Sequence, residues 1–305
     1  MDGIAVVLNP AAGRGAAGRR RGEIEAALRG TGVPFTIQQT HARGGATELA
    51  WQAIEGGAHT VVAVGGDGTI NEVVNGIKGA ETTTKRRARL AIIPLGTGSD
   101  FIKALDGMLA NDIAGGVQRA TAGRVRPLDL GLVRVNDDAP RYFINAVGAG
   151  FDAQVAAESI KIHNLTGFAV YLLSIARALR SYRTDTMTVE YEQQRVSRRL
   201  MFANVGNGRC QAAGLWMTPD ALLDDGLLDL CLVDNLRLDQ IVRYLPLLMR
   251  GKHTMLPVVT MGRTAKLTIT PRTPVPVQAD GEVISEHARR VVIENVPRAI
   301  DLLIA

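Results

Sequence analysis

Along the first third of the chain, apolar residues fall in short blocks cut by glycine, proline and asparagine, the texture of buried strands that end in loops. Ile4, Ala5, Val6, Val7 and Leu8 form the first block, and Asn9-Pro10 closes it. A helix is expected at residues 23–28, a strand at 35–38 and a second helix at 47–54. The β-branched run Thr60-Val61-Val62-Ala63-Val64 then stops at Gly65-Gly66, and Ile70, Val73, Val74 and Ile77 recur behind it at helical spacing. Another strand, 90–93, leads into Pro94-Leu95-Gly96-Thr97-Gly98-Ser99-Asp100. Strands alternating with helices predict a parallel sheet.

After about residue 127 the alternation gives way to strands without regular helices between them, at 128–135, 141–146, 187–191, 200–205 and 227–233. That texture predicts a second, mostly antiparallel β domain. Helices are expected within it at 159–181 and 238–249. A last strand at 289–296 is followed by Pro297 and a short apolar tail.

The 305 residues are 46% hydrophobic with 33 Gly and 12 Pro, which excludes disordered, collagen-like and coiled-coil classes and leaves room for two cores. Aromatics at 4% are too few for the stacking platforms of a single-strand nucleic-acid binder, so no nucleic-acid partner is expected. A net charge of +5 suits phosphates and anionic headgroups alike. Cys210 and Cys231 do not resemble a disulfide framework or a paired metal site, and Met1-Asp2-Gly3 does not open a basic-then-apolar signal region. A reduced, cytoplasmic chain is the expectation. The longest apolar stretch, 167–179, is shorter than the roughly 20 residues of a spanning helix and carries Arg177.

Three glycine-rich turns are candidates for chemistry. Gly13-Arg14-Gly15-Ala16-Ala17-Gly18 has the spacing of a dinucleotide-binding turn, but no carboxylate closes the second strand to hold a ribose, so a flexible loop touching phosphate is the better reading. Gly65-Gly66-Asp67-Gly68-Thr69 joins a buried strand to a helix start, where unpaired N–H groups favour phosphate. There Thr69 is expected to cap the helix or bind an oxygen, and Asp67 to hold a phosphate-bound Mg²⁺. No Gly-Lys-Ser/Thr follows, so it is not a P-loop. Gly96-Thr97-Gly98-Ser99-Asp100 follows another strand, and in a parallel sheet both loops open on the same carboxyl edge.

In this order and spacing, Asn9-Pro10-Ala11-Ala12-Gly13, Gly65-Gly66-Asp67-Gly68-Thr69-Ile70-Asn71-Glu72 and Pro94-Leu95-Gly96-Thr97-Gly98-Ser99-Asp100-Phe101 resemble the diacylglycerol-kinase catalytic domain of bacterial lipid kinases. The resemblance runs on through Leu128-Asp129-Leu130-Gly131, Gly148-Ala149-Gly150-Phe151-Asp152-Ala153, residues 218–229 and Asp280-Gly281-Glu282. It implies an α/β N-terminal nucleotide-binding domain, with the parallel sheet and helices of NAD kinases and phosphofructokinases, at 1–127. The tail at about 295–305 would pack back on it, and a mostly antiparallel β domain at 128–294 would take lipid substrate and magnesium.

By resemblance, ATP is bound by Asn9, Pro10, Ala11, Ala12 and Gly13, by Thr40, by Gly66, Asp67, Gly68, Thr69, Ile70, Asn71 and Glu72, and by Thr97. Mg²⁺ is held by the Asp225 carboxylate with the carbonyls of Leu222 and Leu227, oxygen ligands that suit a hard cation. Asp280 and Glu282 supply the base by the same resemblance, with Glu282 the preferred proton acceptor and the choice between them left open; on an extended segment, alternate carboxylates point to one side and raise each other's pKa. Ser99, where these kinases commonly have Asn, and Gln211-Ala212-Ala213-Gly214, in place of a more glycine-rich run, depart from the pattern.

The reaction implied is transfer of the ATP γ-phosphoryl group to a hydroxyl of a membrane lipid. Its alternatives are a soluble-substrate kinase of the NAD-kinase type and a catalytically silent nucleotide-binding module. A lipid acceptor calls for peripheral contact with the inner face of the membrane, and the apolar, arginine-flanked faces of 159–181 and 238–252 are the candidates, with core packing the plainer role for most of their residues. A homo-oligomer is left open.

Overall fold

The opening apolar block is strand β1 (Ile4–Leu8), and every residue in it is buried. In chain order there follow α1 (Ala12–Arg19), α2 (Arg21–Arg29), β2 (Phe35–Gln39), α3 (Gly45–Glu55), β3 (Thr60–Gly65), α4 (Asp67–Thr84), β4 (Arg89–Pro94), α5 (Asp100–Lys103), α6 (Ile113–Ala122) and β5 (Arg124–Val135). Then come β6 (Arg141–Phe143), β7 (Ala146–Gly150), α7 (Phe151–Ile160), α8 (Phe168–Ser181), β8 (Asp185–Tyr191), β9 (Gln194–Gly206) and β10 (Leu228–Asp234). The chain closes with α9 (Leu238–Leu248), β11 (Val259–Thr264), β12 (Lys266–Pro271), β13 (Val275–Ala279), β14 (Glu282–Ala288) and β15 (Val291–Ile304). This computed structural model describes residues 3–305 except Gly98, Asp106, 163–167 and Ala213, and leaves aside the side chains of Phe168 and Tyr171. It divides into two units, Met1–Leu128 with Arg298–Ala305, and Asp129–Pro297.

In the first unit the strands run in the order β2-β1-β3-β4-β15, and each neighbouring pair is parallel. β3 is buried from end to end, and β4 beyond its first residue, because helices cover a parallel sheet on both faces and leave no solvated side to mark with polar residues. Val6, Leu8, Val62, Val64, Ile93 and Leu303 share one core with Ile24 and Leu28 of α2.

In the second unit, β14-β13-β7-β9-β8-β12-β15 pair antiparallel, with β10 between β9 and β11. Val147, Val189, Val205, Leu230, Ile269, Val277 and Ile293 face a second core. The order of domains and the strand orientations agree with those expected from the sequence.

Four local expectations are corrected. The run 141–146 is not one strand: Ile144 and Asn145 break it, because their N–H groups, with that of Ala146, turn to the Asp280 carboxylate instead of a ladder. The helix expected at 159–181 is two, since α7 starts at Phe151 behind the positive-φ Gly150 and ends at Ile160; residues 163–167 of that expectation lie outside the described residues. The strand at 289–296 runs on through Pro297 to Ile304, because β12 pairs as far as Glu294 and β4 takes over at Asp301, so the missing proline N–H interrupts neither ladder. The run Gly13 to Gly18 is a kinked helix, left-handed at Gly13, Arg14 and Gly15, and not an open loop.

Candidate active site

In the first unit, three loops meet at the carboxyl ends of β1, β3 and β4. Asn9 ends β1; its Oδ1 accepts the Ala11 N–H at 3.1 Å and its Nδ2 donates to Thr69 Oγ1 at 3.0 Å, which ties the Asn9-Pro10 turn to the start of α4. Thr69 is therefore not the helix cap; Gly66 is, in extended backbone, and α4 opens at Asp67 with its first N–H groups lacking intrahelical acceptors. Gly68 is exposed there. Backbone donors on a dipole's positive end form an anion cradle.

The β4 loop touches this cradle directly. A Cβ on Gly96 would lie 2.3 Å from Gly66 Cα, so only glycine lets the two turns approach this closely. Asp67 then fastens them: Oδ2 accepts the Asp100 N–H at 2.9 Å and Oδ1 the Phe101 N–H at 3.1 Å, capping α5. Burial pushes its carboxyl up, against those two hydrogen bonds, which pull it down. With both oxygens engaged, Asp67 is a brace rather than the free Mg²⁺ ligand its place in the motif suggested. Ser99 is buried in left-handed backbone, Thr97 is exposed, and Gly98 lies outside the described residues.

Two other ATP candidates are also structural. The Glu72 carboxylate accepts the N–H groups of Gly44 and Ala46, each at 3.0 Å, and so caps α3. Thr40 is buried at the end of β2, where its N–H reaches Leu8 O. Ile70 and Asn71 are buried in α4, and Pro10, Ala12 and Gly13 are half-buried around the exposed Ala11.

In the second unit, Asp280-Gly281 is the tip of the β13–β14 hairpin, both residues with positive φ. The two carboxylates are thus not alternate positions on an extended strand, and their expected mutual effect loses its geometric basis. Asp280 accepts three backbone N–H groups, from Ile144 at 2.7 Å, Asn145 at 2.8 Å and Ala146 at 3.0 Å. Glu282, half-buried, pairs with Arg141.

The stretch 218–229 wraps around Asp129, whose Oδ2 accepts the Gly226 N–H at 2.7 Å and whose N–H reaches Leu223 O. Asp225 accepts the Leu227 N–H at 3.0 Å and pairs with Arg263, and Leu227 O accepts from Asn295. Burial first, then Asp225 and Asp220, push the Asp229 carboxyl up to about 6, while Arg263 pulls it down. Asp229 Oδ2 is shielded and ion-pairs with Arg263 Nε at 3.7 Å. A buried carboxylate with Asp225 and Asp220 nearby suits a hard cation in charge, although Arg263 already pairs with it and no group of three His, Cys, Asp or Glu converges among the described residues.

The sequence reading missed Asp152 as a site residue. Its carboxylate folds over β7, where a Cβ on Gly148 would lie 2.0 Å from either oxygen. Oδ2 accepts from Asn204 at 3.0 Å and Gln278 at 3.3 Å. Burial pushes the carboxyl up to about 6 against the hydrogen bonds from Asn204, Gln278 and Gln211. The signal was the Gly148-Ala149-Gly150-Phe151-Asp152 run, glycines that clear space before an acid. Gln211, one of the departures from the family pattern, belongs to this cluster through Asn204; Ala213 beside it lies outside the described residues.

Among the described residues no helix is long and apolar enough to cross a membrane. On the faces read as membrane candidates, Ile175 is buried, Leu172, Val242 and Met249 are exposed, and the Phe168 side chain lies outside the described residues.

Residues 3–133 match the diacylglycerol kinase catalytic domain, and residues 145–304 match the YegS C-terminal NAD kinase beta sandwich-like domain. The diacylglycerol kinase of Staphylococcus epidermidis (strain ATCC 35984) is 30% identical over 91% of this chain and 84% of its own. That of Staphylococcus saprophyticus is 29% identical over 91% and 88%. A crystal structure from Bacillus anthracis str. Sterne, 23% identical, superposes with a TM-score of 0.78 over 100% of this chain and 97% of that one, which speaks to the fold. With both halves matched in order and the glycine turns and distal acids in place, the chain belongs to the bacterial diacylglycerol-kinase-like family.

Proposed function

We propose that this protein transfers the γ-phosphoryl group of ATP to a hydroxyl of a membrane lipid of the diacylglycerol class. The observation that carries the reading is the contact of Gly66 with Gly96 under the Asp67 brace, which packs two strand-end turns into one backbone cradle for phosphate. Phosphoryl transfer asks mainly for positioning and charge neutralisation, and backbone donors with a cation supply both. Asn9 to Gly13, the α4 turn and Thr97 bind ATP; Thr40 and Glu72 support them by fixing the β2–α3 connection.

Asp225 with the carbonyls of Leu222 and Leu227 would hold Mg²⁺, with the Asp229 carboxylate adding negative charge nearby. The cation's chemistry is to offset phosphate charge. Glu282 accepts the alcohol proton, and Asp280 sets the hairpin tip that carries it. The protein works at the membrane surface without spanning it. Incubation with labelled ATP, Mg²⁺, mixed micelles of mono- and diacylglycerols, and NAD tests this: label in lipid is expected, label in NAD alone would point to the soluble-substrate kinase, and no label to a silent module.

A further inference from the structure

Asn207 stands just past the end of β9, between Gly206 and Gly208, and is 1% exposed. Its Nδ2 donates to two backbone carbonyls from distant stretches of the chain, Asp129 O at 3.2 Å and Ile144 O at 2.9 Å. With carbonyl oxygens on that side, only the nitrogen end of the amide fits against them. Its Oδ1 is shielded and has no hydrogen-bond partner among the described residues. A side chain kept here for packing alone would be apolar, since a buried amide with one end unmatched is costly. The two donors are what this position requires.

Each acceptor belongs to backbone that holds one of the acidic stretches. On one side, the Asp129 N–H reaches Leu223 O at 2.7 Å and Asp129 Oδ2 accepts the Gly226 N–H at 2.7 Å, which fixes the turn carrying Asp225. On the other, the N–H groups of Ile144 and Asn145 donate to the two oxygens of Asp280 at 2.7 and 2.8 Å, which fixes the hairpin carrying Glu282. The Asn207 backbone reinforces this side, because its N–H and that of Gly208 both donate to Asn145 O, at 2.7 and 2.9 Å. Thr218 Oγ1, at the start of the 218–229 stretch, donates to Gly208 O at 2.8 Å and pins the turn from the first side. A Cβ on Gly206 would lie 2.1 Å from Thr218 Oγ1 and one on Gly208 2.4 Å from Asn145 Oδ1, so glycines let the turn seat between them.

We propose that Asn207 is a positioning residue that holds the Asp225 turn and the Glu282 hairpin at one separation, so that the proposed cation ligand and the proposed proton acceptor keep a common register. The inference rests on the lipid-kinase reading and deepens it. Buried as it is, Asn207 acts through the backbone it holds and not by contact with substrate. Phosphoryl transfer is sensitive to such spacing, because a misplacement of about 1 Å can cost on the order of 10² in rate.

The test uses the full chain with Asn207→Asp, which keeps the volume and sets acceptors against two carbonyls, and Asn207→Leu, which keeps the branched shape and removes the donors. Amide hydrogen exchange, measured without substrate or Mg²⁺, is expected to speed up about tenfold or more at Gly226 and at Ile144 and Asn145 together, while the β8–β12 ladder keeps its protection. In lipid phosphorylation, kcat is expected to fall by about 10² and the Mg²⁺ needed for half-maximal activity to rise, with KM for ATP unchanged. A residue that only supports the fold would loosen the ladder as well and would not split kcat from KM. Thr218→Val deletes a single hydroxyl bond and carries the test if both Asn207 variants unfold: faster exchange at Ile144, which Thr218 does not bond, is expected, and unchanged exchange there overturns the link. Exchange that speeds up at only one of the two stretches, or wild-type kcat in either folded Asn207 variant, also overturns the link and leaves the kinase intact. Exchange lost at both stretches while wild-type protein phosphorylates no lipid overturns the kinase reading and leaves the link standing.

Discussion

Asp67 Oδ2 accepts the backbone N–H of Asp100 at 2.9 Å, so the acid of one glycine turn caps the helix that follows the other. The two turns are 33 residues apart in sequence, and this bond with its partner at Phe101 makes them one object. Asp67→Ala leaves two amide donors without an acceptor, at a cost of roughly 1–3 kcal/mol. Thermal unfolding should show that loss, and ATP-analogue binding should weaken with it. Full affinity at a lowered melting temperature would separate the brace from the cradle.

Gly96→Ala tests the same cradle sterically. Its Cβ would sit 2.3 Å from Gly66 Cα, backbone that has no rotamer to yield. The turns must separate, with a penalty of about 1–3 kcal/mol typical of overpacking. Calorimetry with a non-hydrolysable ATP analogue should find binding reduced by more than tenfold, and wild-type affinity would show that turn contact is not needed for phosphate.

Much of this was legible in the chain because it is local. β1, β3 and β4 are short apolar blocks, and the turns that follow them carry their own glycines, so the parallel sheet and the glycine turns at its carboxyl edge could be read directly. Roles set by contacts across long stretches could not. The hydrogen-bond partners of Asp280 lie 134 to 136 residues away at Ile144, Asn145 and Ala146, and the same contacts broke the strand expected at 141–146. Glu72 lay inside an ATP motif, yet its oxygens cap α3. Pro297 signalled a strand end because sequence does not show that β15 changes partners there.

The hairpin acids should separate under mutation. Asp280→Ala strands three amide donors and is expected to cost roughly 1–3 kcal/mol, read as a lower denaturation midpoint. Glu282→Gln loses only a partly exposed ion pair, within about 1 kcal/mol of neutral, but should lower kcat by about 10²–10⁴ as a missing proton acceptor does. Full kcat in Glu282→Gln would remove it from the chemistry.

Asp225→Asn should raise the Mg²⁺ concentration needed for half-maximal activity, and should remove any thermal stabilisation by Mg²⁺ alone. It also takes away a negative neighbour that holds the Asp229 carboxyl high, so that carboxyl should titrate lower. Nuclear magnetic resonance of the Asp229 side chain reads the shift without turnover. An unchanged Mg²⁺ requirement would move the cation elsewhere.

Asp152 gives stability a pH dependence with a defined sign. Its carboxyl stands at about 6 in the folded chain against 3.8 as a free side chain, mainly through burial. The folded state therefore holds the proton more tightly. This contribution is fully present below about 3.8 and is lost as pH climbs through 6, a change on the order of 3 kcal/mol. Asp152→Asn keeps a carbonyl acceptor for Asn204 and Gln278 but cannot ionise, so its stability should be flatter than wild type between pH 4 and 6. Denaturant midpoints measured across that window decide it, and parallel curves would mean that the carboxyl is solvated as an ion in the folded protein.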